Sequence, residues 1–221
     1  MTKKEIQIPI SHFFVGATLV VPENAKALVL FSHGSGSSRF SPRNNYVAKV
    51  LNEHGIATLL ADLLTTQEDM DYDNRFNIPL LSGRLVSVTG WVLQQKELMN
   101  LPAGYFGAST GAASALLAAS LLKDRITAVV SRGGRPDLAL EALRQVQAAT
   151  LLIVGSLDTQ VIRLNQLAYE KLVCKKQMEI VPGASHLFEE AGKLEKVAKI
   201  AMNWFDKYLI EPHSIKKMEV H

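Results

Sequence analysis

The sequence contains a single cysteine, Cys174, in 221 residues, which excludes an intrachain disulfide and a cysteine-rich zinc site. Cys174 lies in Leu172-Val173-Cys174-Lys175-Lys176, an apolar-then-basic segment at a predicted helix end, where a packed thiol is expected rather than a nucleophile. No apolar run reaches the ~18 residues of a spanning helix. The first residues, Met1-Thr2-Lys3-Lys4-Glu5-Ile6-Gln7, carry no apolar leader. A cytoplasmic protein with no membrane partner is the expectation. Basic residues exceed acidic ones by only three, 24 against 21, and the Lys-Lys pairs at 3–4, 175–176 and 216–217 are scattered. No basic stripe interleaves with aromatics, which argues against nucleic acid as a partner. Repeats and low-complexity segments are also missing. What remains is a chain 48% hydrophobic, enough for one sizeable core and short for two, so residues 1–221 are read as a single α/β domain.

Taken in order, residues 5–10 and 13–21 predict two strands, an antiparallel pair at one sheet edge, the second ending at Pro22. The continuous apolar runs at 27–31 and 56–61 predict strands buried on both faces. Between them Ser41-Pro42 opens a helix that Gly55 closes. Residues 63–83 have no clear period and are read either as a small substrate-facing excursion or as a solvated loop, too short for a cap domain. Helical spacing resumes at 84–98 through Leu85, Val88, Trp91 and Val92. Strands at 125–130, 149–155 and 178–181 alternate with predicted helices at 138–147, with Asp137 as N-cap, at 161–173 and at 189–209. The tail from Glu211 reads as loose. The alternation predicts a mostly parallel sheet of seven or eight strands with helices on both faces.

The chemistry concentrates in Tyr105-Phe106-Gly107-Ala108-Ser109-Thr110-Gly111. A serine on a sharp strand-to-helix turn projects its hydroxyl clear of the sheet, and the close approach of neighbouring backbone requires glycine two before and two after it. Ser109 is the candidate nucleophile, and the Thr110 N–H, near the positive end of the following helix, is a candidate oxyanion donor. The loop Ser32-His33-Gly34-Ser35-Gly36 ends another strand at the carboxyl edge, where open α/β sheets bind ligands. Ser35 N–H is the second candidate oxyanion donor, with Gly36 as the near alternative. His33 suits a structural hydrogen bond better than catalysis. Asp62, another strand-end acid, suits loop capping. Arg132, within Ser131-Arg132-Gly133-Gly134-Arg135-Pro136-Asp137, is read two ways, as an anion-binding group or as the partner of a surface acid. Gly34, Gly36 and Arg132 are the candidate substrate-binding residues.

Ser109, Asp158 and His186 follow in that order, each just after a predicted strand. They fit nucleophile, orienting acid and general base. The reaction expected is ester or thioester cleavage through an acyl-enzyme on Ser109, with no metal or organic cofactor. The same residues leave a second reading open, a non-catalytic module that binds a small molecule or protein through Arg132 and the 63–83 segment.

On Gly107-Ala108-Ser109-Thr110-Gly111, Leu151-Leu152-Ile153-Val154-Gly155-Ser156-Leu157-Asp158 and Val181-Pro182-Gly183-Ala184-Ser185-His186, the sequence resembles the α/β-hydrolase superfamily, in its dienelactone-hydrolase-related branch that lacks a large cap. The resemblance covers nearly the whole chain. Dienelactone hydrolases proper use a cysteine where this chain has Ser109, so the resemblance implies a serine esterase or thioesterase acting on a small molecule. The 131–137 run is also similar to hydrolase domains fused to phosphoribosyltransferases, which implies a functional link to such an enzyme. Nothing in the sequence bears on oligomeric state.

Overall fold

The computed structural model describes residues 1–212. Eight strands form one open sheet: β1 (Thr2–Ile10), β2 (Phe13–Val21), β3 (Ala27–Ser32), β4 (Ile56–Ala61), β5 (Ala103–Ala108), β6 (Ile126–Arg132), β7 (Ala149–Gly155) and β8 (Lys176–Val181). Their order across the sheet is β1-β2-β4-β3-β5-β6-β7-β8. The β1–β2 hairpin joins β4 antiparallel and every other pairing is parallel. The predicted edge pair and strand count are both found.

Strands β3 to β7 are buried on both faces, apart from Thr127, because helices cover each side. On one side Leu28, Leu30, Tyr105, Val129 and Leu152 meet α3 (Ile78–Val92) and α4 (Thr110–Leu122). On the other Val29, Phe31, Phe106, Val130 and Ile153 meet α1 (Pro42–Glu53) and the last long helix (Lys193–Phe205). Alternate residues of one strand therefore feed two cores, each large side chain contributing ~1.5–3 kcal/mol of burial. Ser41 caps α1 by accepting from Asn44 N–H at 3.3 Å, and Pro42 stands in its first turn, as the sequence indicates.

The 63–83 segment is more ordered than its lack of period suggests. A single-turn helix α2 (Thr66–Asp69) opens with a reciprocal cap between Thr65 and Glu68, and a 3₁₀ turn follows at Tyr72–Phe76. Glu68 also takes the buried Arg84 in two hydrogen bonds, 2.8 and 3.2 Å, and Arg84 stacks over Phe13. Burial pushes the Glu68 carboxyl up, but its hydrogen bonds with Arg84 and Thr65 together hold it below its usual range. The segment is one small flap, and among the described residues no cap domain stands over the sheet.

The helices differ from expectation in their bounds, and one is absent. Helix α3 starts at Ile78, not 84, because Asn77 accepts from Leu80 N–H at 3.1 Å and Pro79 fits the first turn. The helix expected over 138–147 is replaced by 3₁₀ turns at Pro136–Ala139 and Leu143–Gln145. Asp137 cannot cap it, since its carboxylate is spent on Arg135 at 2.9 and 2.8 Å. The chain then enters α5 (Thr159–Lys171), and after β8 the final helix α6 runs over Lys193–Phe205, with Gly192 left-handed before it and a wider turn at Asp206–Ile210 after it. Most of the tail expected to be loose, residues 213–221, lies outside the described residues. Among the described residues no helix is long and apolar enough to cross a membrane.

Candidate active site

Ser109 joins β5 to α4 with φ 52° and ψ −124°, a conformation that costs a non-glycine residue on the order of 1–3 kcal/mol. Its backbone is held on both sides: its N–H donates to Arg132 C=O at 3.2 Å, and its C=O accepts from Ala112 and Arg135 N–H, both at 3.0 Å. Side-chain space beside it is nil. A Cβ on Gly107 would lie 2.5 Å from Ala112 Cα, and one on Gly111 would collide with the carbonyls of Ser32 and His33, 2.5 Å from the latter. The glycines of the pattern are required by this crossing of three backbones. The His33-Gly34 loop presses on the turn, a Cβ on Gly34 falling 3.0 Å from Ser109 Cβ.

The candidate acid and base follow β7 and β8. Asp158 stands at the N-cap position of α5 but makes no capping hydrogen bond. Its Oδ2 instead accepts from His186 Nδ1 at 2.6 Å, which leaves Nε2 as the free lone pair of the neutral ring. The His186 loop packs on the end of β6. A Cβ on Gly133, where φ is +51°, would sit 2.9 Å from His186 C=O and 3.6 Å from its ring Cε1. Gly133 follows Arg132, the residue whose carbonyl holds Ser109, so Ser109 and His186 flank the same two residues.

Two side chains brace this loop without having declared themselves in the sequence. Glu190 accepts Ser185 N–H with both carboxylate oxygens, at 3.1 and 3.2 Å, and that bond lowers its pKa from the usual value. Phe188 is buried with φ 58°, an uncommon conformation for an aromatic residue.

The third loop carries the remaining candidates. His33 uses both ring nitrogens on backbone: Nδ1–H donates to Gly34 C=O at 3.0 Å and Nε2 accepts from Leu63 N–H at 3.1 Å. Burial pushes its pKa down. Asp62 accepts from Arg39 N–H at 2.9 Å and pairs with the Arg39 guanidinium, a loop-tying role. Ser35 N–H donates to the Thr110 side-chain Oγ1 at 2.8 Å. Gly36 has φ +66° and lies about 4.0 Å, from its Cβ position, to Arg75 Nη1; Asp69 holds Arg75 in place at 2.8 and 2.9 Å.

No family model matches the chain. A dienelactone hydrolase from Anabaena variabilis is 50% identical, with a TM-score of 0.91 over 94% of this chain and 98% of that one. The chain belongs to the α/β hydrolases, in the dienelactone-hydrolase-related branch. At 16% identity, Est1E from Butyrivibrio proteoclasticus shares the fold of this hydrolase, with a TM-score of 0.79 over 92% of this chain and 98% of that one. Two strains of Mycobacterium tuberculosis contain proteins named provisionally as phosphoribosyl transferases that are 53% identical over 209 residues, 95% of this chain. The hydrolase spans about half their length, 47%.

Arg132 of this hydrolase lies on the α1 side of the sheet rather than on the surface. Its side chain is buried, Nη2 reaches Asn44 Oδ1 at 3.4 Å, and Nε has no partner among the described residues. Burial first, then the Arg43 charge, lowers its pKa to about 10. Of the two readings of Arg132, the surface ion pair is not found among the described residues: the guanidinium bonds to Asn44, while Arg43 takes Glu189 at 2.8 Å. A groove of about 450 Å³ lies between Ile78-Pro79 and Asp137–Ala142, floored by Leu117 of α4. Among the described residues no group of three or more His, Cys, Asp or Glu stands together to hold a metal.

Proposed function

We propose that this α/β hydrolase is a serine hydrolase that cleaves a carboxylic ester or thioester of a small molecule. The observation that carries the reading is Asp158: it stands where it would cap α5 and accepts from His186 Nδ1 instead. A helix N-cap is worth ~1 kcal/mol, and forgoing it makes sense where the acid has to fix the tautomer of a general base. Ser109, raised on its strained turn, is the nucleophile.

In this reading His186 Nε2 takes the Ser109 proton as Oγ bonds to the ester carbon and the carbonyl π pair moves onto oxygen. Asp158 stabilises the imidazolium. The Thr110 N–H and the Ser35 loop receive the oxyanion at the positive end of α4. Collapse expels the alcohol or thiol with the proton from His186, and water repeats the sequence on the acyl-enzyme. The buried Arg132 and the small Gly34 and Gly36 are the parts that would shape the substrate. Since Ser109 stands where a cysteine serves in dienelactone hydrolases proper, simple esters and thioesters come before dienelactones as candidates. We place the transferase activity named for the mycobacterial relatives in the half of those proteins that this chain does not span, with the hydrolase acting on a related small molecule.

The test is fluorophosphonate labelling with intact-mass and peptide mapping. A single adduct on Ser109 is expected, absent in Ser109→Ala and at least ~100-fold slower in His186→Ala. A folded wild-type protein that takes no label would end this reading.

A further inference from the structure

Thr110 was expected to contribute only a backbone N–H, yet its side chain occupies a position that the mechanism above does not use. The residue is 3% exposed, and its hydroxyl accepts Ser35 N–H at 2.8 Å. Its own proton meets no acceptor among the described residues. Three other buried hydroxyls of these helices spend theirs on a carbonyl one turn back: Thr89 on Leu85 at 2.7 Å, Ser114 on Gly111 at 3.1 Å, Ser120 on Leu117 at 2.8 Å; Ser82 of α3 meets no partner among the described residues, but it lies away from the Ser109 turn and holds no loop N–H. Thr110 has no such option. As the first residue of α4 it follows the reversed turn of Ser109, so no helical carbonyl precedes it. A buried hydroxyl with its acceptor side filled and its donor side empty is short of one oxygen.

We propose that the Thr110 hydroxyl is a catalytic hydrogen-bond donor to the oxyanion, and that Ser35 acts through it. This rests on the Ser109 reading. Thr110 then donates twice, from N–H and from Oγ1–H, to the oxygen that gains the carbonyl electron pair. The Ser35 N–H, bonded to Oγ1, polarises the hydroxyl and fixes its direction. Ser35 is thereby a positioning residue and not the direct donor that its place after His33-Gly34 suggests. No proton is transferred from Thr110; the hydrogen bond shortens as charge develops and relaxes when the tetrahedral species collapses. The arrangement also explains why the Gly34 loop must press on the Ser109 turn, since Ser35 has to reach across to the next residue.

The experiment measures the rate of Ser109 phosphonylation by a fluorophosphonate, whose P=O oxygen takes the oxyanion position, in wild type, Thr110→Val and Thr110→Ser. Thermal melts establish that each variant is folded at the assay temperature. Loss of one oxyanion donor costs about 10²–10³ in rate. Thr110→Val, which keeps the shape and loses the hydroxyl, is therefore expected to lower the maximal rate ~100-fold while the half-saturating probe concentration stays within about threefold. Thr110→Ser is expected to recover the rate to within about fivefold of wild type. A folded Thr110→Val with the wild-type maximal rate, or a faster one, would show the hydroxyl to be a mere latch or stopper on Ser35 and overturn the assignment. So would Thr110→Ser being as slow as the valine variant. If the wild type itself takes no label, the serine-hydrolase reading falls and this one with it; a labelled wild type with an unimpaired valine variant removes this one alone.

Discussion

Around Ser109 the chain is fixed by backbones pressed against backbones, whereas around His186 carboxylates are added to such contacts, which Gly133 and Gly155 make with its loop. The first region uses Gly107 and Gly111 to let β5, α4 and the end of β3 cross within contact distance. The second uses Asp158 on the imidazole and Glu190 on the N–H just before it. A nucleophile must be held at one point against strain, and steric closure does that without any charge to titrate. A general base has to be oriented while its own charge changes, and only a side chain that answers charge can follow it. The sheet brings the two solutions to one edge, where Arg132, the last residue of β6, holds Ser109 and Gly133 after it meets His186.

The contrast can be broken first on the carboxylate side. Asp158→Asn keeps the shape of the acid but removes its charge and, with it, the preference for the Nδ1–H tautomer. A fall of ~10⁴ in the rate of Ser109 phosphonylation is expected, with melting temperature little changed. A loss under tenfold would mean that another group orients His186. On the steric side, Gly111→Ala drives a methyl into the carbonyls of Ser32 and His33. Neither is a flexible group, so ~3 kcal/mol or more of stability should go, read as a lower denaturant midpoint, and the label should be lost along with native structure. An alanine variant as stable as wild type would show that the crossing has slack.

The smallest effect concerns His33, which belongs to the steric side and yet titrates. Its pKa in the folded protein is depressed by burial, below the ordinary ~6.5 of an unfolded chain. Above that value neither state binds the proton and stability is flat in this group. As pH falls below it the unfolded chain takes a proton that folded His33 refuses, so stability drops, by at most about 1.4 kcal/mol per pH unit. Chemical denaturation between pH 7 and 5 should show this slope and show it reduced in His33→Gln. Equal slopes would assign the acid sensitivity elsewhere. The depressed Glu68 and Glu190 carboxyls act in the same direction only in more acid solution, below their ordinary range.

The same contrast governs what was legible in the sequence. Backbone contact leaves a mark, because only the smallest residues permit it: Gly107, Gly111 and the alanines after them announce the turn, and the uninterrupted apolar runs announce strands buried twice over. The order Ser109, Asp158, His186 follows from the alternation of strands and helices. Side-chain bracing leaves almost none. Glu190 looks like any acid ahead of a helix, and Arg75 and Arg84 look like solvated charges until Asp69 and Glu68 are seen against them. The 138–147 helix failed for a related reason, since Asp137 has two local uses and its neighbour Arg135 decides between them. For α3 the signal was present in Asn77 and Pro79 but was hidden by the polar stretch before it. The Thr110 side chain was overlooked because the turn motif accounts for its backbone alone.

An open sheet has two outer strands, and those of this hydrolase are unlike its interior. Strand β1 is largely exposed and carries Lys3, Lys4 and Glu5 in succession, with Lys4 facing Glu97 at 3.4 Å. Strand β8 sets Gln177 and Glu179, bonded to each other at 2.6 Å, along the opposite rim. Between them lie strands whose apolar runs would pair readily with copies of themselves. Charge and amide groups at both rims make the addition of a further strand from another molecule unfavourable. The folded sheet therefore ends at eight strands, and its aggregation hazard is confined to chains in which β3 to β7 have not yet been covered.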